Sequence, residues 1–170
     1  QPDSAANYNY ILRADGETGT LNLKSGTKLT ELERTTQANK TYGTVGVALL
    51  GTATTQDTSL SHTINLVIED GVSINTMGFA ISGNGSDSNG TNITINGGEI
   101  VSKSAQAIYH PQYGTLTIKG GKITGDTGIE MRSGILNVSD SAIITGTGTP
   151  ISVGPNGNLS LIHNSEPTRL

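Results

Sequence analysis

The stretch "AIYHPQYG", from Ala107 to Gly114, carries the side chains best suited to bind a ligand. Tyr109 and Tyr113 flank a proline, whose fixed backbone angle stiffens the turn between them. Tyrosine rings can stack on sugar rings, and the amide of Gln112 can hydrogen-bond a hydroxyl group. We therefore predict a carbohydrate-binding site at Tyr109, Gln112 and Tyr113. The structural alternative is that both tyrosines simply cover the edge of the core.

Side chains for acid–base chemistry are sparse. Glu130 and Arg132 lie two residues apart, near Asp126, and suggest an acid–base site when taken alone. A solvated surface pair, worth less than about 1 kcal/mol, is the simpler interpretation. Hydrolysis of a glycosidic bond normally needs two carboxyl groups that flank the bond. We find no such pair on adjacent repeats and expect no catalytic residue in this chain.

Metal-binding side chains do not converge in the sequence. The three histidines, His62, His110 and His163, are far apart, and Asp87 is a lone acid in a glycine- and serine-rich segment. No cysteine is present, so thiolate ligands are unavailable. Zinc and calcium sites need several ligands at regular spacing. We expect neither a metal site nor a cofactor.

Composition restricts the class of protein and of partner. The net charge is −4, and Lys and Arg are not clustered, which disfavours nucleic-acid binding. No apolar run approaches the roughly 18 residues of a membrane span. The chain opens at Gln1 without a recognisable signal peptide, so we expect the true start to be missing or processed away. The 23 glycines and the low charged fraction of 14% favour short strands and many turns.

A repeat of short strands must position these residues. Five segments share one pattern, in which two apolar residues spaced two apart precede a turn: "TLNLKSG" from Thr20, "NLVIEDG" from Asn65, "NITINGG" from Asn92, "TLTIKGG" from Thr115 and "ILNVSDS" from Ile135. This spacing places both apolar side chains on one face of a strand. A second apolar strand follows, with Ile100, Ile123 and Ile143 at matching places. "GIEMRSG", from Gly128, is then a third strand.

The period of this repeat predicts a parallel β-solenoid. Asn65, Asn92, Thr115 and Ile135 are 27, 23 and 20 residues apart, enough for three short strands and three turns. Stacking such rungs, each one circuit of three strands, about 4.8 Å apart piles inward side chains into columns. We expect Ile95, Ile118 and Val138 to line up in one column, and Glu99 to pair with Lys122 across neighbouring rungs.

The pattern resembles the right-handed parallel β-helix repeat domains of bacterial cell-surface and secreted proteins, including adhesin-like and autotransporter-passenger-like ones. The resemblance is carried by "NITINGGEI", "TLTIKGGKITGDTGIEMRSG" and "ILNVSDSAIITGTG". It covers Leu66 to about Asn158 well and Thr20 to Leu50 loosely. It implies an all-β, right-handed β-helix with three short strands per rung of about 20–23 residues, at the cell surface or outside the cell.

We divide the chain into one β-helix fragment, residues 1–158, and a tail, residues 159–170. Residues 24–45 break the period and are expected to form an irregular insertion or cap, as a short helix or a loop. Residues 83–92 are expected to be a solvent loop. The tail, "LSLIHNSEPTRL", resembles a translated sequencing adapter and is predicted to be non-native. A natural tail is the alternative.

The outward positions of the third strand are predicted to be Ala80, Tyr109, Glu130 and Ser152, without carboxylates in adjacent rungs. We therefore expect a non-catalytic structural or adhesive segment that displays polar side chains to glycans or cell-surface components. Proteins of the resembling class also include polysaccharide lyases and glycoside hydrolases. The alternative is an accessory portion of such an enzyme, with its catalytic rungs outside this sequence.

Overall fold

A computed structural model of the chain describes residues 10–16, 18–31, 36–37, 40–41, 44–51, 63–83, 90–139 and 141–162. Every regular element in these ranges is a β-strand, and none of them contains a helix. The all-β prediction is confirmed. Thirteen strands form one sheet whose pairs are parallel, and only the small β4–β5 pair is antiparallel within the described residues.

The strands are mostly short because turns interrupt the chain at intervals of a few residues. Their bounds are β1 (Tyr10–Gly16), β2 (Gly19–Leu23), β3 (Lys28–Thr30), β4 (Thr36–Gln37), β5 (Lys40–Thr41), β6 (Val45–Gly51), β7 (Thr63–Ile68), β8 (Ser73–Thr76), β9 (Ile81–Gly83), β10 (Gly90–Ile95), β11 (Glu99–Ser102), β12 (Ile108–His110), β13 (Thr115–Ile118), β14 (Gly121–Ser139) and β15 (Ala142–Ile162).

Parallel pairing arranges these strands in three ladders, each a series of strands joined side to side. The first ladder joins β2, β7, β10 and β13, the second joins β3, β8 and β11, and the third joins β1, β6, β9 and β12. Strands β14 and β15 are long enough to pass through all three ladders. The chain visits the ladders in the same order on each circuit, which gives a solenoid-like architecture.

Aliphatic side chains form the core because each strand turns alternate residues inward. Strands β7, β8, β10 and β13 alternate between buried and half-buried residues. In the first ladder, Ile95 pairs with Ile118 and Ile118 with Val138, so the predicted column is confirmed. The second and third ladders contribute the columns Leu29, Ile74, Ile100, Ile123 and Ile144, and Leu12, Val47, Ile81, Ile108, Ile129 and Ile151.

Glycine permits the close approach of successive rungs at the corner between the first and second ladders. Gly98 and Gly121 have φ angles of +92° and +93°, in the left-handed region that favours glycine. A Cβ atom on Gly121 would lie 2.7 Å from the carbonyl oxygen of Gly98. The paired glycines of "NITINGG" and "TLTIKGG" therefore meet both a conformational and a steric requirement.

Several boundaries differ from the predictions. Strand β3 pairs with β8, with Leu29 opposite Ile74, so the second ladder already includes part of the segment 24–45. The described residues of that segment contain short strands and no helix. Ile123 pairs with Ile144, so the predicted match of Ile143 was wrong by one residue, and Ile143 is exposed.

Two other predicted boundaries fall partly outside the described residues. Gly83 and residues 90–92 belong to strands β9 and β10, and residues 84–89 of the predicted loop are not among those described. Strand β15 runs past the predicted boundary at Leu159, which pairs with Leu136, and ends at Ile162. The origin of the tail stays a prediction.

We expect Ile118→Ala to lower the free energy of unfolding by about 2–5 kcal/mol, because it opens a cavity in a fully packed column. The matched control is Thr117→Ala, the half-buried neighbour on the outward face, with an expected change within about 0.5 kcal/mol. Urea unfolding followed by circular dichroism measures both. Equal effects of the two variants would contradict the assigned orientation of β13.

Candidate functional site

The outward face of the third ladder brings together the polar and aromatic side chains that are best suited to contact a ligand. Tyr109 pairs with Ser82 on one side and with Glu130 on the other, and Glu130 pairs with Ser152. The prediction that Ala80 occupies the outward position in this series was wrong, since Ala80 is fully buried. The face is therefore a column of Ser82, Tyr109, Glu130 and Ser152.

A solvent-open cleft of about 420 Å³ lies along this face, and we call it the Tyr109 cleft. It combines one aromatic ring, one ion pair, several small polar groups and two prolines, contributed by three successive passes of the third ladder. The lining residues are Tyr109, Pro111, Glu130, Arg132, Ser133, Ser152, Gly154, Pro155 and Asn156. Because an aromatic ring and polar groups line the same cleft, it can hold a ligand with both apolar and polar faces.

Phe79 supports the ring of Tyr109. The two ring centroids are 5.6 Å apart, and the planes are tilted by 32°, within the range of favourable aromatic pairs. Tyr109 is half-buried, so part of the ring is accessible from the solvent. The contact with Phe79 restrains the ring before any ligand arrives.

The carboxylate of Glu130 is occupied on both oxygen atoms. Arg132 Nε lies 2.9 Å from Oε1, and Gln106 Nε2 donates a hydrogen bond of 2.5 Å to Oε2. The Glu130 side chain is 20% exposed, whereas that of Arg132 is 62% exposed. Glu130 therefore positions the guanidinium of Arg132. The pairing of Glu130 with Arg132 agrees with the surface ion pair predicted from the sequence.

The three predicted binding residues do not converge. Tyr113 lines a second depression of about 350 Å³, together with Gly114, Thr115, Gly134, Ile135, Asn156 and Asn158. Asn156 alone borders both depressions among the residues that line them. A single small ligand in the Tyr109 cleft would therefore not need Tyr113, although a ligand spanning both depressions would contact both tyrosines.

Gln112 lies behind the surface. It is fully buried and packs against Gly83, whose missing side chain leaves room for the amide. It lines neither depression, and the carbohydrate-binding role of Tyr109, Gln112 and Tyr113 stays a prediction. Sequence reasoning also missed Gln106 and Asn156, because their positions depend on the path of corner segments that have no alternating pattern.

His110 faces inward and pairs with Met131 of the next rung. The imidazole is fully buried, and Nε2 lies 3.3 Å from the carbonyl oxygen of Thr91. Burial lowers the pKa of His110 because it disfavours the charged imidazolium, and the hydrogen bond to Thr91 only partly offsets this effect. Among the described residues, no three acidic, histidine or cysteine side chains gather where they could hold a metal ion. His62, Asp87 and His163 lie outside those residues.

Comparisons with protein-family models, with curated proteins and with solved structures give no match to this chain. Within the described part of the chain, no helix has the length and hydropathy required to cross a bilayer. The interpretation of the Tyr109 cleft therefore depends on the geometry of its own residues.

Acid should destabilise the protein through His110. The pKa of His110 is lowered in the folded state, so below about pH 6.5 the unfolded chain binds a proton that the folded chain does not, and the folded state loses stability. Above that pH, His110 is neutral in both states and this loss of stability disappears. We expect His110→Met, which copies Met131 of the next rung, to flatten the loss of stability between pH 7.5 and 5.5. Urea midpoints across this range measure the difference. Parallel pH profiles of the two proteins would contradict a neutral, buried His110.

Proposed function

We propose that the chain is a segment of a right-handed parallel β-helix that serves as a non-catalytic, adhesive surface of an extracellular or cell-surface protein. Three parallel ladders with continuous aliphatic columns and short corners support the β-helix. Right-handedness follows the general preference of crossovers between parallel strands. The localisation is inferred from the repeat's resemblance to surface and secreted proteins.

The observation that carries the adhesive function is the Tyr109 cleft. A restrained, partly exposed ring lies beside an exposed guanidinium and the polar side chains of Ser152 and Asn156. A sugar offers an apolar ring face for stacking and hydroxyl groups for hydrogen bonds, and the cleft offers both complements. We therefore infer that a glycan is the ligand and that Tyr109 supplies the stacking platform.

The same cleft disfavours glycosidic hydrolysis. Glu130 is the one carboxylate among its lining residues, and both oxygens are already engaged by Arg132 and Gln106. A hydrolytic site needs an acid and a second carboxylate several ångströms apart. Binding without cleavage is the function that this arrangement supports best.

One observation favours a second candidate. Glu130 and Arg132 lie on the outward face of stacked parallel strands, where an extended polysaccharide could contact several rungs. The chain would then be an accessory portion of a polysaccharide lyase or glycoside hydrolase, and its surface would hold the substrate for rungs elsewhere. Detectable cleavage of acidic polysaccharides by the purified chain would overturn the non-catalytic proposal.

Tyr109→Ala tests the adhesive proposal. We expect this variant to lose about fivefold or more in affinity for the glycans that the wild-type chain binds on an array, since stacking on the ring contributes on the order of 1 kcal/mol or more. Tyr113→Ala reports whether the ligand extends into the second depression. Titration calorimetry on the best array ligand gives the affinities.

The matched control is Thr117→Ala, an outward residue of the first ladder away from the cleft, which should bind like the wild type. Circular dichroism confirms that each variant is folded. No glycan binding by the wild-type chain, or unchanged binding after Tyr109→Ala, would contradict the proposal.

A further inference from the structure

Four buried side chains leave polar atoms without a hydrogen-bond partner in the described part of the chain. Thr91, His110, Gln112 and Ser133 are each at most 1% exposed. The unpartnered atoms are two hydroxyl oxygens, one imidazole nitrogen and both polar atoms of one amide: Thr91 Oγ1, Ser133 Oγ, His110 Nδ1, Gln112 Oε1 and Gln112 Nε2. We call these four residues the corner cluster.

The corner cluster occupies a single place in the fold, the inside of the corner between the third and first ladders. Its members come from three successive rungs. Thr91 begins the first ladder in one rung, and its backbone N–H donates to the Tyr113 carbonyl of the next rung at 2.9 Å. His110 Nε2 contacts the Thr91 carbonyl at 3.3 Å, and Gln112 follows two residues later.

Ser133 belongs to the third of these rungs, at the matching corner. A Cβ atom on its neighbour Gly134 would lie 3.3 Å from the Gln112 carbonyl oxygen, so the two corners are in contact. On the other side, the Gln112 amide packs against Gly83 of the earlier rung. A Cβ atom on Gly83 would clash with Gln112 Oε1, so the amide occupies the place that a side chain at this glycine would take.

The fold itself does not require polar residues here. Met131 occupies the place of His110 in the next rung and is also fully buried, so an apolar side chain fits that position. Buried polar groups are nearly always hydrogen-bonded in native proteins, because an unpaired group has lost its contact with water without compensation. The concentration of five such atoms at one corner therefore indicates a bound partner.

The chemistry of the five atoms selects the partner. The hydroxyl groups can donate or accept, and the amide supplies two donors and one acceptor. Nδ1 of the neutral imidazole accepts, because Nε2 carries the proton that faces the Thr91 carbonyl oxygen. The cluster contains no carboxylate, and the amide N–H₂ group and the hydroxyl protons disfavour a bare cation, which needs several oxygen ligands. A small neutral molecule that both donates and accepts fits this set.

We propose that the corner cluster binds about one or two ordered water molecules, each held by three or so of these atoms. Ser133 also lines the Tyr109 cleft, so the bound water lies behind the floor of that cleft. This proposal is independent of whether the cleft binds a glycan.

A high-resolution crystal structure of the wild-type chain tests the proposal directly. The expected result is solvent density at about 2.7–3.2 Å from at least three of the five atoms. Side chains that hydrogen-bond directly to one another with no solvent between them would overturn the proposal. Density with the coordination geometry or anomalous signal of a metal ion would also overturn it.

Water ¹⁷O relaxation dispersion gives a second measurement in solution. We expect the wild-type chain to retain about one or two more long-lived water molecules than the variant Thr91→Val, His110→Met, Gln112→Met, Ser133→Ala. Thr94→Val, on the outward face of the first ladder, is the control and should retain the wild-type number. Equal numbers in the wild type and the fourfold variant would contradict the proposal. If that variant does not fold, the solvent density in the wild-type crystal structure decides whether the corner cluster binds water.

Discussion

The structure depends on the stacking of inward aliphatic side chains in register between successive rungs. A strand of three to six residues has too little apolar surface to stay folded alone, and each rung buries its inward face only against the rungs beside it. Because side chains alternate with a period of two, a slip of one residue would turn a whole column toward the solvent. Register is therefore the property that the rest of the molecule must protect.

Polar contacts between rungs protect that register at the corners and along the strand starts. Lys24 Nζ lies 2.6 Å from Glu69 Oε1, and Lys122 Nζ lies 3.7 Å from Glu99 Oε1. The hydrogen bond from Lys24, followed by that from the Ser25 backbone, holds the pKa of Glu69 below its ordinary value. Asn92 adds neutral links, since Oδ1 accepts a 3.0 Å bond from the Thr115 N–H. Exposed pairs of this kind stabilise little, and their main effect is to disfavour wrong pairings.

The strand interiors could be predicted from the sequence because one physical rule governs them. Alternation alone identified the column through Ile95, Ile118 and Val138. Corners follow no such rule. Gln112 is inside because Gly83, one rung away, leaves space for its amide, and that relation is invisible in the local sequence.

The candidate site was predictable only in part for the same reason. Tyr109 lies on a strand, so its outward position follows from the alternation. Gln106, which bonds Glu130, and Asn156, which lines the Tyr109 cleft, are placed by corner segments of varying length. The errors at Ala80, two residues from Ser82, and at Ile143, one residue from Ile144, have this origin as well, because a change in corner length shifts the phase of the next strand. Functional surfaces on this architecture are therefore hardest to predict where corners contribute to them.

Dipolar EPR between paired spin labels tests the stacking most directly, because the chain has no native cysteine to interfere. The outward positions of successive rungs in the first ladder are, in order, Asn22, Val67, Thr94, Thr117 and Asn137. Cysteine pairs would join Asn22 to each of the last three sites. Steps of about 4.8 Å per rung predict backbone separations of about 10, 14 and 19 Å, in that order. Separations that fail to rise in equal steps, or that place residue 137 nearer than residue 94, would contradict the account.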